Sequence, residues 1–253
     1  MCHSINSHPP IPASEQGTAI GEDLVVTAAD GNRFAAFLAH PEQPIGAHVL
    51  MYPDVRGVHH FYQELALRFA ERGITTLVMD YFGRTAGLTA RDDAFVPWSH
   101  VSQLQPTTFL ADASAALNYL RTGLRADQST FVLGFCMGGS LSLYTATEPA
   151  FALAGAIGFY APLGLNLGQE TFLGASKRTS IPVLGLFGGG DSSIPAEQRE
   201  ELDHTLKQSQ VEHEIVVYPG APHSFFDRSA LQWAEASRDA WQRVLDFIAT
   251  HSG

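Results

Sequence analysis

The sequence predicts an α/β fold with a mostly parallel central sheet and helices on both faces. Three observations predict it. Short apolar runs of strand length alternate with helix-length runs along most of the chain, which implies crossover connections and a two-faced sheet. An Asp-Gly turn near the start joins two apolar segments into a hairpin, placing antiparallel strands at one edge. No internal repeat or linker divides the chain, so 23–253 reads as one domain behind an N-terminal arm, 1–22.

The elements follow in order. Asp23–Ala28 and Arg33–Ala39 form the hairpin around Asp30-Gly31. Ala47–Tyr52 is a buried strand. Phe61–Arg72 is a helix with apolar residues at Phe61, Leu65, Phe69 and Ala70, stopped by Gly73. Ile74–Met79 is a strand, and Thr107–Leu120 an amphipathic helix. The apolar run ending at Leu133 leads into a helix over Ser140–Thr147. Leu153–Phe159 precedes a long loop, Tyr160–Ser180. Strand Ile181–Phe187, helix Ala196–Lys207, strand Val211–Tyr218 and helix Trp233–Ala249 complete the chain.

Composition narrows the function classes. At 253 residues a single α/β domain buries roughly 75% of its unfolded surface. A net charge of −11 argues against nucleic acid as a partner. No window reaches the ~18 apolar residues of a membrane span, and the first residues hold prolines but no apolar signal core. Cys2 and Cys136 stand in different contexts, which argues against a structural disulfide and suits a reducing cytoplasm. Neither zinc-ligand spacing nor a phosphate loop is found, so no cofactor or metal is expected. The adjacent His59 and His60 would diverge by ~100° on a helix and read as a solvated helix start.

Gly134-Phe135-Cys136-Met137-Gly138-Gly139 is the most informative stretch. It matches the G-x-nucleophile-x-G elbow between a strand and a helix, with cysteine at the nucleophile position. The backbone at such a nucleophile is strained, and side chains two residues to either side would collide with the turn. The helix that follows points N–H groups at the sulfur, an environment that favours thiolate. A buried thiol in a Gly-rich turn would have a similar sequence.

Two later segments complete a pattern. Asp191 follows the run Ile181–Gly190, and His223 lies on a Pro/Gly-rich loop after Val211–Tyr218. Taken alone, Asp191 could be a turn residue before Ser192-Ser193 and His223 a loop histidine. Nucleophile, acid and histidine in that order, each after its own strand, is the chain order of α/β-hydrolases. His223 would take the thiol proton, and Asp191 would orient the imidazole. The backbone N–H groups of Met137 and Val55 are the natural oxyanion donors.

On these motifs the chain resembles the dienelactone hydrolase family, the cysteine-using branch of the α/β-hydrolases, from about residue 20 onward. The resemblance rests on Gly134–Gly139, Asp191 after a Gly-rich strand end, and Pro222-His223-Ser224-Phe225. It implies a Cys136–His223–Asp191 triad that opens an ester or lactone through a thioester. It also implies a residue controlling the resting nucleophile at Asp54, where family members have glutamate; a turn-forming Asp after Pro53 would look the same. Arg84 matches an arginine that grips the substrate carboxylate. The second such arginine would fall at 227, where this chain has Asp227, with Arg228 one residue on; Arg56 could replace it. Ser224 lies beside the histidine, and Trp98 on the segment Thr85–Gln105, which could cover the pocket mouth, as could Tyr160–Ser180.

The expectation is therefore a cofactor-independent cytoplasmic hydrolase of a small ester or lactone, monomeric or homodimeric, contacting neither nucleic acid nor membrane. The same residues also fit acyl transfer or isomerisation of an intermediate, or a ligand-binding or redox-sensing member of the fold without turnover.

Overall fold

A computed structural model describes residues 7–13, 18–42, 47–123 and 128–253. Cys2 and parts of the arm lie outside these. The chain begins with the expected hairpin, β1 (Ala19–Thr27) paired antiparallel with β2 (Arg33–Pro41). Strand β1 starts four residues before the anticipated domain boundary, because Ala19–Glu22 continue the pairing to Leu38–Pro41. Next come β3 (His48–Tyr52), α1 (His60–Ala70) and β4 (Thr75–Met79). Two short helices, α2 (Gly83–Ala86) and α3 (Trp98–Val101), precede the long α4 (Pro106–Gly123).

The second half alternates regularly. It runs β5 (Thr130–Phe135), α5 (Met137–Thr145) and β6 (Gly155–Phe159). The long loop after β6 holds a small hairpin, β7 (Asn166–Leu167) and β8 (Glu170–Thr171), then α6 (Phe172–Ala175). Then follow β9 (Val183–Gly188), α7 (Ala196–Gln208), β10 (His213–Tyr218) and α8 (Ala234–His251).

The eight-stranded sheet has the order β1-β2-β4-β3-β5-β6-β9-β10. The contacts β1·β2 and β2·β4 are antiparallel and all the others parallel. Interior strands β3, β4, β5, β6 and β9 are buried along their whole length, as a sheet covered on both faces requires. Side chains of one strand alternate between two cores. Val49 and Met51 join Phe61, Leu65 and Phe69 of α1 and Val244 and Ile248 of α8. Leu50 and Tyr52 join Phe109, Ala113, Leu117 and Leu120 of α4 on the other face. All of α5 is buried, consistent with its apolar circumference.

The arm is not detached. Ile11 packs on the first core, and Pro9, Pro10 and Pro12 line a cavity of about 730 Å³ against Trp241 and Leu245 of α8. Among the described residues no helix is long and apolar enough to cross a membrane.

Phe69 and Trp241, with ring centroids 4.6 Å apart, join α1 to α8 over the first core. Trp241→Ala should cost about 3–5 kcal/mol, read as a lower denaturation midpoint at unchanged slope; a loss below about 1 kcal/mol would contradict this packing.

Candidate active site

Cys136, Asp191, His223, Asp54 and Val55 all follow strands that end on one edge of the sheet. Strands β3, β5, β9 and β10 are parallel, so their carboxyl ends share a side of the sheet, where open α/β sheets place their sites. Asp54 and Val55 follow β3, Cys136 follows β5, Asp191 follows β9, and His223 follows β10.

Cys136 has φ 54° and ψ −122°, a conformation costly for a side-chain-bearing residue. It is held by its N–H donating to Phe159 O at 3.0 Å and by its carbonyl accepting from Ser140 N at 3.2 Å. Glycines make the bend possible. A Cβ on Gly134 would fall 2.0 Å from Gly138 O, and one on Gly138 would fall 2.1 Å from Pro53 O and 2.2 Å from Tyr52 O. The loop after β3 therefore rests directly on the first turn of α5. Val55 lies two residues beyond that contact, and among the described residues neither Met137 N–H nor Val55 N–H enters a turn or loop hydrogen bond.

The acid and the histidine form a tight pair. His223 Nδ1 lies 2.6 Å from Asp191 Oδ2. The other carboxylate oxygen accepts from Ser193 N at 2.9 Å and Ser193 Oγ at 2.5 Å. Asp191 is thus a turn residue and an imidazole partner at once, one oxygen for each task. Burial alone would push its carboxyl up, but the bonds from His223 and Ser193 outweigh it and hold the group below the ordinary carboxylate value. Close backbone approach sets the geometry: a Cβ on Gly188 would fall 2.3 Å from Ala221 O, and one on Gly190 would fall 2.5 Å from Gly220 O. The loop carrying His223 lies flat on the loop carrying Asp191.

Aromatic packing ties this pair to the elbow. The ring of Tyr160, itself at φ 36°, lies 4.9 Å from the His223 imidazole. Phe135, which precedes Cys136, stacks on Phe159 at 4.6 Å and lies 5.9 Å from Phe226. Neither Ser193 nor Tyr160 stood out in the sequence. The Asp-x-Ser turn was a usable signal for Ser193, and nothing local marked Tyr160.

The other residues are placed as follows. Asp54 is fully buried; its Oδ1 accepts from Arg56 N at 2.8 Å, as a turn residue does, and its carbonyl accepts from Tyr81 OH at 2.6 Å. Arg84 is engaged elsewhere: its Nε and Nη2 donate to Asp112 at 2.8 and 2.7 Å, and its Nη1 lies 2.7 Å from Asp30. An internal aspartate fills the guanidinium fork expected to grip a substrate carboxylate. Arg56 pairs with Asp93 at 3.1 Å. Arg228 lines the cavity between arm and α8, and Asp227 is buried, accepting from Tyr160 OH at 2.7 Å. Trp98 is 65% exposed at the start of α3. Ser224 is buried at φ 62°, and its hydroxyl makes no hydrogen bond among the described residues.

Within the segment expected to cover the pocket mouth, Arg91 and Phe95 pack on the domain itself. Arg91 is buried, pairs with Asp80 at 2.6 Å and caps Phe95 at 4.7 Å. Its stem lies under Gly57, whose Cβ position is 2.9 Å from Arg91 Cγ, so it supports the loop carrying Val55.

Because its pKa is depressed on folding, Asp191 contributes stability that is present above its unfolded pKa of about 3.9 and is lost as pH falls through the lower folded value. The stability gap between wild type and Asp191→Asn should shrink as pH falls from about 6 to about 2; a constant gap contradicts the assignment.

Known proteins share this fold and match most of this chain. The model of the dienelactone hydrolase family matches residues 34–252. A Yersinia pestis protein named "Putative carboxymethylenebutenolidase" is 28% identical over 98% of this chain and 92% of its own. A Bradyrhizobium protein named "Probable 2-oxo-3-(5-oxofuran-2-ylidene)propanoate lactonase" is 26% identical over 92% of this chain and 95% of its own. A crystal structure from Klebsiella pneumoniae, described as a "Putative Dienelactone Hydrolase", superposes with a TM-score of 0.80 at 25% identity, covering 92% of this chain and 99% of that one. The chain belongs to the dienelactone hydrolase family, with the α/β-hydrolase fold, and is a hydrolase of that kind.

Proposed function

We propose that the chain hydrolyses a small ester or lactone through a Cys136–His223–Asp191 triad and a thioester intermediate. The observation that carries the reading is the left-handed cysteine at the head of α5, on the sheet edge that also holds the His223–Asp191 pair. The relatives' names, a carboxymethylenebutenolidase and a lactonase, point to the same substrate class.

The steps follow from the groups present. Asp191 bonds Nδ1 of His223, which leaves Nε2 to accept the thiol proton of Cys136. The sulfur attacks the carbonyl carbon, and the π pair moves to oxygen. The N–H groups of Met137 and Val55 hold that oxyanion. As the carbonyl re-forms, the carbon–oxygen single bond breaks, and His223 returns its proton to the leaving oxygen. In a lactone that oxygen stays tethered to the acyl group. Water then gives a proton to His223, attacks the thioester and releases the acid, and the sulfur regains its proton.

Asp54, buried one residue before Val55, is the group assigned to control of the resting thiol. No arginine is assigned as a carboxylate clamp, since Arg84 and Arg56 already hold aspartates. Cys136 is a free thiol, in keeping with work in a reducing cytoplasm.

Cys136→Ala and His223→Ala should each remove turnover of an activated small ester while leaving the circular dichroism spectrum near wild type. A variant keeping more than about a few percent of the rate counts against the triad. Gly138→Ala tests the oxyanion loop separately. Its methyl must push Pro53 and Tyr52 away, and kcat should fall by about 10²–10³, the loss seen when one oxyanion donor is removed. An unchanged kcat removes Val55 from its role.

A further inference from the structure

Among the described residues, one group of three offers ligand atoms that all lie within 4.8 Å of one another: His8, His60 and Glu64. It shares no residue with the hydrolase site. His8 Nδ1 lies 2.7 Å from Glu64 Oε2, and His60 Nε2 lies 3.1 Å from Glu64 Oε1. The two imidazoles meet edge to face with centroids 5.5 Å apart.

The backbone builds this arrangement from two sides. His60 opens α1 and Glu64 lies one turn later, an i,i+4 spacing that puts both side chains on one face. The arm delivers the third group, and Ile11 three residues on is seated against the core, so His8 is carried by docked chain.

The donor set has a chemical preference. Two imidazoles and one carboxylate suit zinc and its neighbours, whereas calcium and magnesium favour oxygen ligands. In a tetrahedral zinc site with bonds of about 2.0–2.1 Å, ligand atoms stand roughly 3.4 Å apart. The two contacts, 3.1 Å from His60 and 2.7 Å from His8, reach different oxygens of Glu64. With one ligand atom from each residue all three lie within 4.8 Å of one another, so small side-chain rotations must draw them together around the metal. The His8 side chain is 68% exposed, which leaves water access for a fourth ligand. A chain of net charge −11 does not oppose a divalent cation.

We propose that His8, His60 and Glu64 form a transition-metal site, zinc by preference, that staples the N-terminal arm to α1. In the structure Glu64 shares a hydrogen bond with His8 at 2.7 Å and lies 3.1 Å from His60 Nε2, so one carboxylate already faces both imidazoles. With metal, the arm is fixed over the cavity that it shares with α8.

The test uses the full chain, untagged and stripped with a chelator that is then removed. Zinc is titrated by calorimetry, and cobalt by its visible absorption. The expected result is one saturable metal per chain at this site with a Kd in the micromolar range or tighter and four-coordinate cobalt bands. His8→Ala, His60→Ala and Glu64→Gln should each weaken binding at least tenfold. Saturating zinc should raise the melting temperature of wild type by several degrees and leave the variants unmoved. Ester hydrolysis should be the same in all four proteins when metal-free, and zinc taken up by Cys136 instead would show itself as lost hydrolysis. Absence of saturable binding, or binding that survives replacement of both histidines, overturns the proposal.

Discussion

The left-handed backbone at Cys136 is the constraint on which the rest of the site depends. A cysteine in that conformation persists only where its surroundings over-determine it. Here the determinants are backbone on backbone. Gly134 gives room for the carbonyl of Gly138, and Gly138 gives room for the carbonyls of Tyr52 and Pro53. One close contact thus bends the chain at the sulfur and positions the loop that carries Val55. The bend at the sulfur and the course of the loop after β3 are set together, so that loop cannot be treated as a separate element.

The same device recurs beneath the histidine. Gly188 and Gly190 lie under the backbone of Gly220 and Ala221, and two loops from neighbouring parallel strands become one layer. The Asp191–His223 hydrogen bond spans that layer at 2.6 Å. Around it, Tyr160, Phe159, Phe225 and Phe226 make an aromatic wall that also holds Phe135. The two halves of the proposed machinery are coupled through this wall, so core packing and catalytic alignment are the same set of contacts.

Much of this was legible in the sequence, for a physical reason. Strands of a two-faced sheet are uninterrupted apolar runs, and each expected strand and helix of the core is found within a few residues of its place. The elbow and the order Cys136, Asp191, His223 were equally readable, because backbone strain and hydrogen-bond roles dictate residue types locally. Partner choice was not. Arg84 has the form of a ligand-gripping arginine, and only the fold reveals Asp112 in its fork. Arg91 looked like part of a cover for the pocket, yet it is buried against Asp80 under the loop of Gly57. His60 has His59 as its neighbour in sequence, while its neighbours in space are Glu64 and His8. Side chains that act through long-range partners leave no local mark.

A sulfur on this bend earns its strain only if it carries the acyl group. The most direct measurement is intact-protein mass spectrometry of wild type quenched in acid during turnover of a panel of small lactones and esters, followed by peptide mapping. The account predicts an added acyl mass on the peptide containing Cys136, chased away by further incubation in water and absent from Cys136→Ala. An acyl group found on another residue, or turnover without any acylated enzyme in rapid-quench single-turnover experiments, would contradict it.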